Sequence, residues 1–295
     1  MARVKTKRIG GSTYYYLEHS VREGGRVYKK EVYLGKKIPK DVEEMKEKLL
    51  EDVYRERWHP LLDRIKDNYS REARQMPKSL KEKELDTFAI RFTYDTQRIE
   101  GSTLSLRETA TLLERGIAPK DRPVGDIREA EAHKRLFYEM LGYKKDLSLG
   151  AVLEWHKKLF GETKSDIAGR IRKSRVGIAG SKFVHPLAVE VYPMLQDFFR
   201  WYNKNNNKLH PVELAALVHL KFVTIHSFPD GNGRMSRLMM NFILKSKGYP
   251  MLNIQYEGRN SYYNALERAQ VSKKDDVFTS WFTRRYVKEY KAYLV

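Results

Sequence analysis

The residues best suited to chemistry lie in one short segment, where residues 226–237 read His-Ser-Phe-Pro-Asp-Gly-Asn-Gly-Arg-Met-Ser-Arg. His226 follows the most apolar stretch of the chain, which should hold it rigidly. An imidazole with an ordinary pKa of ~6.5 can accept a hydroxyl proton near neutral pH. Asp230 follows in a predicted turn, where a carboxylate suits a hard cation such as Mg²⁺ or Mn²⁺. These two residues are candidates for a general base and a metal ligand.

The second half of the segment is suited to binding phosphate. Gly231, Asn232 and Gly233 lead into a predicted helix, and glycines there let backbone N–H groups approach an anion at the helix N-terminus. Arg234 and Arg237 are three residues apart, so they should share a face and present two guanidiniums to phosphate oxygens. Together with a base and a metal ligand, this set favours attack of a hydroxyl on a nucleotide phosphate.

Other nucleotide sites are disfavoured by the sequence. The chain has no GxxxxGK[ST] segment and no HRD or DFG kinase motif. The Gly-Asn-Gly triplet is a weak dinucleotide signal, because it follows a predicted helix and Ser236 stands at the third glycine position.

Residues 226–237 resemble the signature of the Fic family, HxFx[D/E]GNGRxxR, and match it at every fixed position. The resemblance extends over roughly residues 90–275. It implies a mostly helical protein that uses ATP as substrate and transfers AMP to a Ser, Thr or Tyr hydroxyl of a target protein.

The same resemblance implies roles for individual residues. His226 would be the base, Asp230 would hold Mg²⁺ (or Mn²⁺), and Asn232 with the neighbouring amides of Gly231 and Gly233 would form an anion hole. Arg234 and Arg237 would contact the nucleotide phosphates, and Phe228 would pack inward.

Two further segments fit the family layout. Residues 174–186 alternate in polarity and should form a short β-hairpin flap that registers the target segment by strand pairing. Residues 259–266 resemble the segment that closes over adenine, and Tyr262 and Tyr263 would lie on the adenine side. Ordinary core packing of this tyrosine pair stays open. His156, His185 and His219 are interpreted as structural residues.

Residues 96–101, Thr-Gln-Arg-Ile-Glu-Gly, match the family's inhibitory motif [S/T]xxxE[G/N]. Gly101 is a candidate helix C′ glycine, which places Glu100 in the last turn. A carboxylate there opposes the helix dipole by ~0.3–1 kcal/mol and favours a cation from elsewhere. The resemblance names that cation as Arg237, so Glu100 is predicted to keep Arg237 from the γ-phosphate of ATP.

The elements that position these residues are predicted to be mostly helical. Residues 13–19 and 27–34 indicate an N-terminal hairpin turning at Gly24 and Gly25. Pro39 should start a helix that Pro60 kinks or breaks. From Leu80 onward, periodicity and capping signals predict helices over residues 80–99, 106–115, 126–142, 149–160, 188–204, 211–226, 232–247, 260–271 and 275–292.

The predicted organisation runs from a small N-terminal module to a helical Fic-type domain. The segments are a basic β-hairpin module (1–38), linking helices (39–79), an inhibitory helix region (80–104), a Fic core (105–275) and a C-terminal helix (276–295).

Composition limits the alternatives. The 295 residues include no cysteine, which excludes disulfides and thiolate chemistry. No apolar run approaches the ~18 residues of a membrane span, and no secretory signal is visible, so we expect a cytoplasmic protein without a membrane partner.

The formal net charge is +19, and residues 1–40 hold eleven Lys and Arg against three Glu. This excess leaves nucleic-acid binding through residues 1–40 open as an alternative function, with no named DNA-binding motif to support it. Removal of AMP from a modified protein is a second alternative. Self-modification and homodimer formation also stay open, and the target protein is not indicated.

Overall fold

A computed structural model describes residues 2–23, 26–177 and 180–295. The chain divides into two compact units, Met1–Arg64 and Ile65–Val295, and the division falls within one long helix.

The first unit contains an antiparallel sheet of three strands in the order β1-β2-β3, which are β1 (Arg3–Ile9), β2 (Ser12–Glu23) and β3 (Arg26–Gly35). The predicted hairpin corresponds to β2 and β3, and the predicted turn at Gly24 and Gly25 lies outside the described residues. Strand β1 was not predicted, because its many basic residues leave little apolar alternation. It turns into β2 through Gly10 and Gly11, both at positive φ, as a tight hairpin requires.

One face of this sheet packs on the first part of α1 (Val42–Gln75), around Ala2, Leu17, Leu34 and Leu49. The sequence predicted that Pro60 kinks or breaks this helix. The helix is not broken there, because α1 continues through Pro60. Pro60 has no N–H to donate to the carbonyl of Glu56, and because both residues are exposed, water can donate to that carbonyl instead.

The second unit is helical, and its helices are α2 (Lys78–Ile99), α3 (Leu106–Arg115), α4 (Val124–Gly142), α5 (Leu149–Phe160), α6 (Ala188–Asn205), α7 (Pro211–Ile225), α8 (Asn232–Ser246), α9 (Arg259–Ser272) and α10 (Asp275–Glu289). Short 3₁₀ turns cover Tyr256–Gly258 and Lys291–Leu294. All nine predicted helices are confirmed. Caps explain several ends, since Ser105 and Glu108 form a capping box on α3 and Pro211 begins α7.

Helix α7 is the central buried helix, as its apolar sequence predicted. It packs against α6, α8 and α10. Helix α8 is buried along almost its whole length. Residues 226–231 therefore form a short loop between the two most buried helices, which is where a rigid site can be built.

The structure corrects the predicted hairpin at 174–186. Its described residues, 174–177 and 180–186, contain no strand, and 178–179 lie outside the described part of the chain. The buried guanidinium of Arg172 donates to the carbonyls of Ser174 and Pro186 at 2.9 and 2.7 Å. A side chain thus joins the two ends of the segment where a backbone ladder was expected.

Among the described residues, no helix combines the length and the apolar character that crossing a bilayer requires.

Candidate active site

A cavity of about 660 Å³ lies at the start of α8. Its walls come from the end of α2 at Glu100, from the loop between α7 and α8, from α9, and from Ser181 and His185 of the segment before α6. The cavity brings together residues that are far apart in sequence, including His226, Arg237 and Glu100.

His226 stands at the end of α7 in the left-handed conformation, with φ of 52°. Its amide still donates to Phe222 O of α7 at 3.2 Å, and its carbonyl accepts from Arg172 Nε at 2.6 Å. The backbone is therefore fixed from both sides, and the imidazole is turned out of the helix toward the cavity that it lines.

The imidazole of His226 is neutral at physiological pH. Burial, with a further contribution from the neighbouring ring of His185, lowers its pKa to about 4. The two ring centroids are 4.1 Å apart. Nδ1 lies 3.4 Å from Val223 O, and the tautomer that donates this proton leaves Nε2 with a free lone pair. A neutral imidazole with an open lone pair can accept a proton from a hydroxyl.

Asp230 belongs to a closed ring of alternating charges with Lys164, Glu129 and Arg234. Lys164 Nζ lies 2.7 Å from Asp230 Oδ2 and 2.9 Å from Glu129 Oε1. Arg234 Nη2 lies 2.8 Å from Asp230 Oδ1, and Arg234 Nη1 pairs with Glu129 Oε2. Burial would raise the pKa of Asp230, but the two cations outweigh it and lower the pKa to about 2. Asp230 is therefore ionised at any physiological pH.

The two arginines of the motif have different partners in the structure, and their contacts with nucleotide phosphates stay a prediction. Arg234 is 3% exposed and points into the charge ring. Arg237 is 1% exposed and lines the cavity. Each guanidinium therefore has its own set of partners, and only that of Arg237 faces the cavity.

Arg237 is held by Glu100. Its Nη2 lies 2.5 Å from Glu100 Oε1, which is the predicted contact. Its Nε donates to the Thr96 hydroxyl at 3.3 Å, and its Nη2 donates to the Thr96 carbonyl, also at 3.3 Å. Nη1 donates to the Tyr262 hydroxyl at 3.3 Å, which in turn lies 3.0 Å from His219 Nε2. In the described residues, Glu100 is the carboxylate that pairs with this buried cation.

Gly231 and Gly233 have no room for a side chain, because neighbouring side chains occupy the space where a Cβ would lie. Gly231 has φ of +81°, and a side chain there would overlap the ring of Phe160. A Cβ at Gly233 would overlap Glu100 Oε1 and lie 3.0 Å from Arg237 Nη1. The carboxylate of Glu100 thus occupies the space at the N-terminus of α8, where backbone N–H groups favour an anion.

The side chain of Asn232 holds the loop together. Its Oδ1 accepts from Phe228 N at 2.9 Å, and its Nδ2 donates to Phe228 O at 2.8 Å. Phe228 packs inward as expected and stacks on His156 at 3.7 Å between ring centroids. The side-chain amide of Asn232 therefore fixes the loop at Phe228, and the backbone of Asn232 begins α8.

The tyrosines of α9 occupy different environments. Tyr262 is 1% exposed and lies behind Arg237, whereas Tyr263 is 43% exposed and donates to Ile99 O at 2.8 Å. Both line the cavity, and their adenine-side role stays a prediction.

The sequence interpretation missed Lys164, Glu129 and Arg172. It interpreted His185 as structural, and the structure places this buried ring beside His226 in the cavity wall. Lys164 and Arg172 lie in irregular chain between α5 and α6, and Glu129 lies on α4. No spacing links these residues to the motif. Glu129 lies one turn before buried His133 on the inner face of α4, and a buried carboxylate requires a cation.

A divalent metal fits the site only with help from a nucleotide. No group of three or more His, Cys, Asp or Glu in the described residues could hold a metal ion. Mg²⁺ is commonly bound through one or two carboxylates together with substrate phosphates. The side chain of Asp230 is 36% exposed, so it can serve as such a ligand once Lys164 releases Oδ2.

This helical fold, with residues 226–231 in a loop between α7 and α8, is that of a Fic-type domain. Residues 146–244 match the Fic/DOC family, so the chain contains a domain of that family.

Relatives extend the match. The chain is 35% identical over 180 residues to protein adenylyltransferase Fic of Drosophila yakuba, covering 60% of this chain and 36% of that protein. It is 34% identical over 204 residues to protein adenylyltransferase Fic of Aedes aegypti, covering 68% and 40%. The matched part of the chain thus spans well under half the length of these relatives.

Two solved structures are similar in fold. A Fic domain containing signaling protein from Bacteroides thetaiotaomicron superposes with a TM-score of 0.69 at 27% identity, covering 78% of this chain and 95% of that one. Fic-1 from C. elegans gives a TM-score of 0.69 at 27% identity, covering 83% and 72%.

Proposed function

We propose that this protein transfers AMP from ATP to a Ser, Thr or Tyr hydroxyl of a target protein, and that Glu100 restrains this activity. The observation that carries the proposal is the position of Glu100, whose carboxylate pairs with Arg237 at 2.5 Å in the cavity that His226 lines. The names of the relatives support the same reaction.

In the proposed reaction, the target hydroxyl oxygen attacks the α-phosphorus of ATP. His226 Nε2 accepts the hydroxyl proton, the new O–P bond forms, and the bond to the β-phosphate oxygen breaks as pyrophosphate leaves. Backbone N–H groups at the start of α8 and the guanidinium of Arg237 stabilise the phosphate oxygens. A Mg²⁺ ion held by Asp230 and the phosphates would neutralise negative charge on the nucleotide.

Glu100 restrains the reaction because it occupies the anion site itself. A carboxylate and a guanidinium ~4 Å apart attract by about 4 kcal/mol at an effective dielectric constant of ~20. Desolvation and side-chain entropy reduce the net value to about 1–3 kcal/mol, which is roughly 5- to 150-fold in an equilibrium. ATP must displace this contact before its γ-phosphate can reach Arg237.

The test compares autoadenylylation by wild type, Glu100→Gly, Arg237→Ala and the double variant with ATP labelled at the α-phosphate. Glu100→Gly should be faster than wild type by roughly 5- to 150-fold. Arg237→Ala should be inactive, because the restraint and the phosphate contact are lost together, and the double variant should match it. Glu114→Gly, which removes an exposed glutamate near the end of α3, is the matched control. A Glu100→Gly variant no faster than wild type contradicts the restraint.

Removal of AMP from a modified protein is the second candidate. Glu100 faces the same cavity as His226, and a carboxylate there can orient a water molecule for attack on the phosphorus. If Glu100→Gly loses AMP release from a pre-modified target while gaining AMP addition, this carboxylate serves both reactions.

A further inference from the structure

The two faces of the N-terminal sheet have opposite characters. Successive side chains along a strand point to opposite faces, and cross-strand partners share a face. Leu17 and Val4 are cross-strand partners on the face that packs against α1. Tyr16 is paired with Lys5 and Tyr33 on the other face, which we call the open face.

A cluster of three tyrosines lies on the open face. The rings of Tyr14 and Tyr16 have centroids 6.2 and 5.2 Å from that of Tyr33. Tyr33 is 54% exposed. Lys7 Nζ lies 4.4 Å from the ring centroid of Tyr16, and Lys36 Nζ lies 5.8 Å from that of Tyr14. Aromatic surface flanked by ammonium groups is therefore available to a ligand.

Cations on the open face are held in fixed positions by one buried carboxylate. Glu18 is 1% exposed, and its oxygens lie 2.9 Å from Arg3 Nη2, 3.0 Å from Lys5 Nζ and 3.1 Å from Lys29 Nζ. Hydrogen bonds from these three residues lower the pKa of Glu18 to about 2. Glu31, the cross-strand partner of Glu18 on the same face, pairs with Lys7. Arg3, Lys5, Lys7 and Lys29 still outnumber these two carboxylates, and the side chains of Arg3, Lys5 and Lys29 stay more than 40% exposed.

We infer that the open face binds single-stranded nucleic acid, with bases stacked on the tyrosine cluster around Tyr33 and phosphates on Arg3, Lys5 and Lys29. Single strands are bound by surfaces that combine aromatic rings, on which unpaired bases stack, with cations along the backbone. An acidic peptide would use the cations but has no planar bases for the tyrosines. A duplex keeps its bases stacked on each other and so gains little from Tyr33.

The inference is tested with the full chain by fluorescence anisotropy, using labelled DNA and RNA single strands of about 20 nucleotides. Binding should weaken as salt rises. Tyr33→Ala should weaken binding about tenfold, while Tyr33→Phe, which keeps the ring, should bind as wild type does. Tyr192→Ala, at a 51% exposed tyrosine of α6, is the matched control.

A second variant keeps the test independent of tyrosine packing. Lys29 is one of the three cations around Glu18, and its side chain is 48% exposed. Lys29→Gln should reduce the slope of log K against log salt by about 0.7, the value expected for one phosphate contact on a single strand. Lys78→Gln, at an exposed lysine of α2, should leave the slope unchanged.

Comparison of the DNA and RNA strands tells which sugar is preferred. Absence of binding, equal binding of Tyr33→Ala and wild type, or tighter binding of a matched duplex or of polyglutamate would each overturn the inference. These measurements use no ATP, so they are independent of the proposed AMP transfer.

Discussion

Two glycines at the start of α8 determine what can stand beside Arg237. Gly233 has no side chain, so the Glu100 carboxylate reaches the head of the helix, and a Cβ there would overlap it. Gly231 turns the chain at positive φ against the ring of Phe160. The glycines thus create one compact anion site, which Glu100 fills and which a phosphate would have to share.

Replacing Gly231 by alanine should destabilise the protein by about 3 kcal/mol. Left-handed backbone strain contributes ~1–2 kcal/mol, and the overlap with buried Phe160 adds about 1–3 kcal/mol. Gly101→Ala is the control, because Gly101 is also at positive φ but has nothing within 4 Å of its Cβ position. Gly101→Ala should therefore lower the free energy of unfolding only by the backbone strain of ~1–2 kcal/mol. Urea unfolding measures both, and equal losses would show that Phe160 imposes no constraint.

Replacing Lys164 by methionine should strengthen metal binding, if Asp230 is the metal ligand. The ammonium lies 2.7 Å from Asp230 Oδ2 and repels a divalent cation there. We expect the dissociation constant for Mn²⁺ in the presence of a non-hydrolysable ATP analogue to fall several-fold, measured by calorimetry.

Lys158→Met is the matched control for Lys164→Met, because Lys158 is similarly exposed and pairs with Glu139. Weaker Mn²⁺ binding by Lys164→Met would mean that Lys164 positions Asp230 for the metal and does not compete with it.

The predictability of the site depends on how its residues are distributed along the chain. His226, Asp230 and Arg237 lie within twelve residues, so their types and spacing indicated a nucleotide site. The Glu100 contact was found only through a second motif. Glu129 and Lys164 come from other elements, and only the folded chain shows that they complete a charge ring with Asp230.

At the scale of elements, the helices of the second unit were predictable because their signals are local. The capping box at Ser105 and the proline at the start of α7 mark their ends directly. Strand β1 and the segment 174–186 were not predicted correctly. The many basic residues of β1 leave little apolar alternation, and Ser174 and Pro186 are joined by the side chain of Arg172, which no local pattern indicates.

Replacing Pro60 by alanine should stabilise α1. A proline inside a helix costs ~3 kcal/mol relative to alanine. A gain of up to ~1 kcal/mol from its stiffness in the unfolded chain offsets part of that cost. We expect about 1–2 kcal/mol more stability in urea unfolding followed by circular dichroism. Lys48→Ala, an exposed substitution in the same helix, should change stability by less than about 0.5 kcal/mol. A loss of stability in Pro60→Ala would show that Pro60 makes favourable contacts.

At the scale of the whole molecule, the second unit keeps several histidines buried and neutral. Burial lowers the pKa of His133 to about 3 and those of His156 and His226 to about 4, and it places that of His219 well below 6.5. His156 shows how the neutral form is used, since Nδ1 accepts from Gly169 N at 2.9 Å and Nε2 lies 3.0 Å from Asp230 O. The core thus depends on imidazoles that stay unprotonated.

The free energy of unfolding should therefore fall as the pH is lowered from 7 to 5. The folded-state pKa values lie below the unfolded value of 6.5, so between them the unfolded chain binds protons that the folded chain excludes. The contribution of these histidines to the free energy of unfolding is fully present above pH ~6.5. It is lost as the pH decreases, by at most about 1.4 kcal/mol per pH unit for each histidine.

Urea unfolding at pH 7, 6 and 5 measures this slope, and His226→Gln and His156→Gln should each reduce it by the equivalent of about one proton. The comparison is made between slopes, so a general loss of stability in either variant does not affect it. Carboxylates with lowered pKa values, such as Asp230 and Glu108 at about 2, act mainly below pH 5. A stability that is constant from pH 7 to 5, or a slope unchanged in both variants, would show that these imidazoles are protonated in the folded protein.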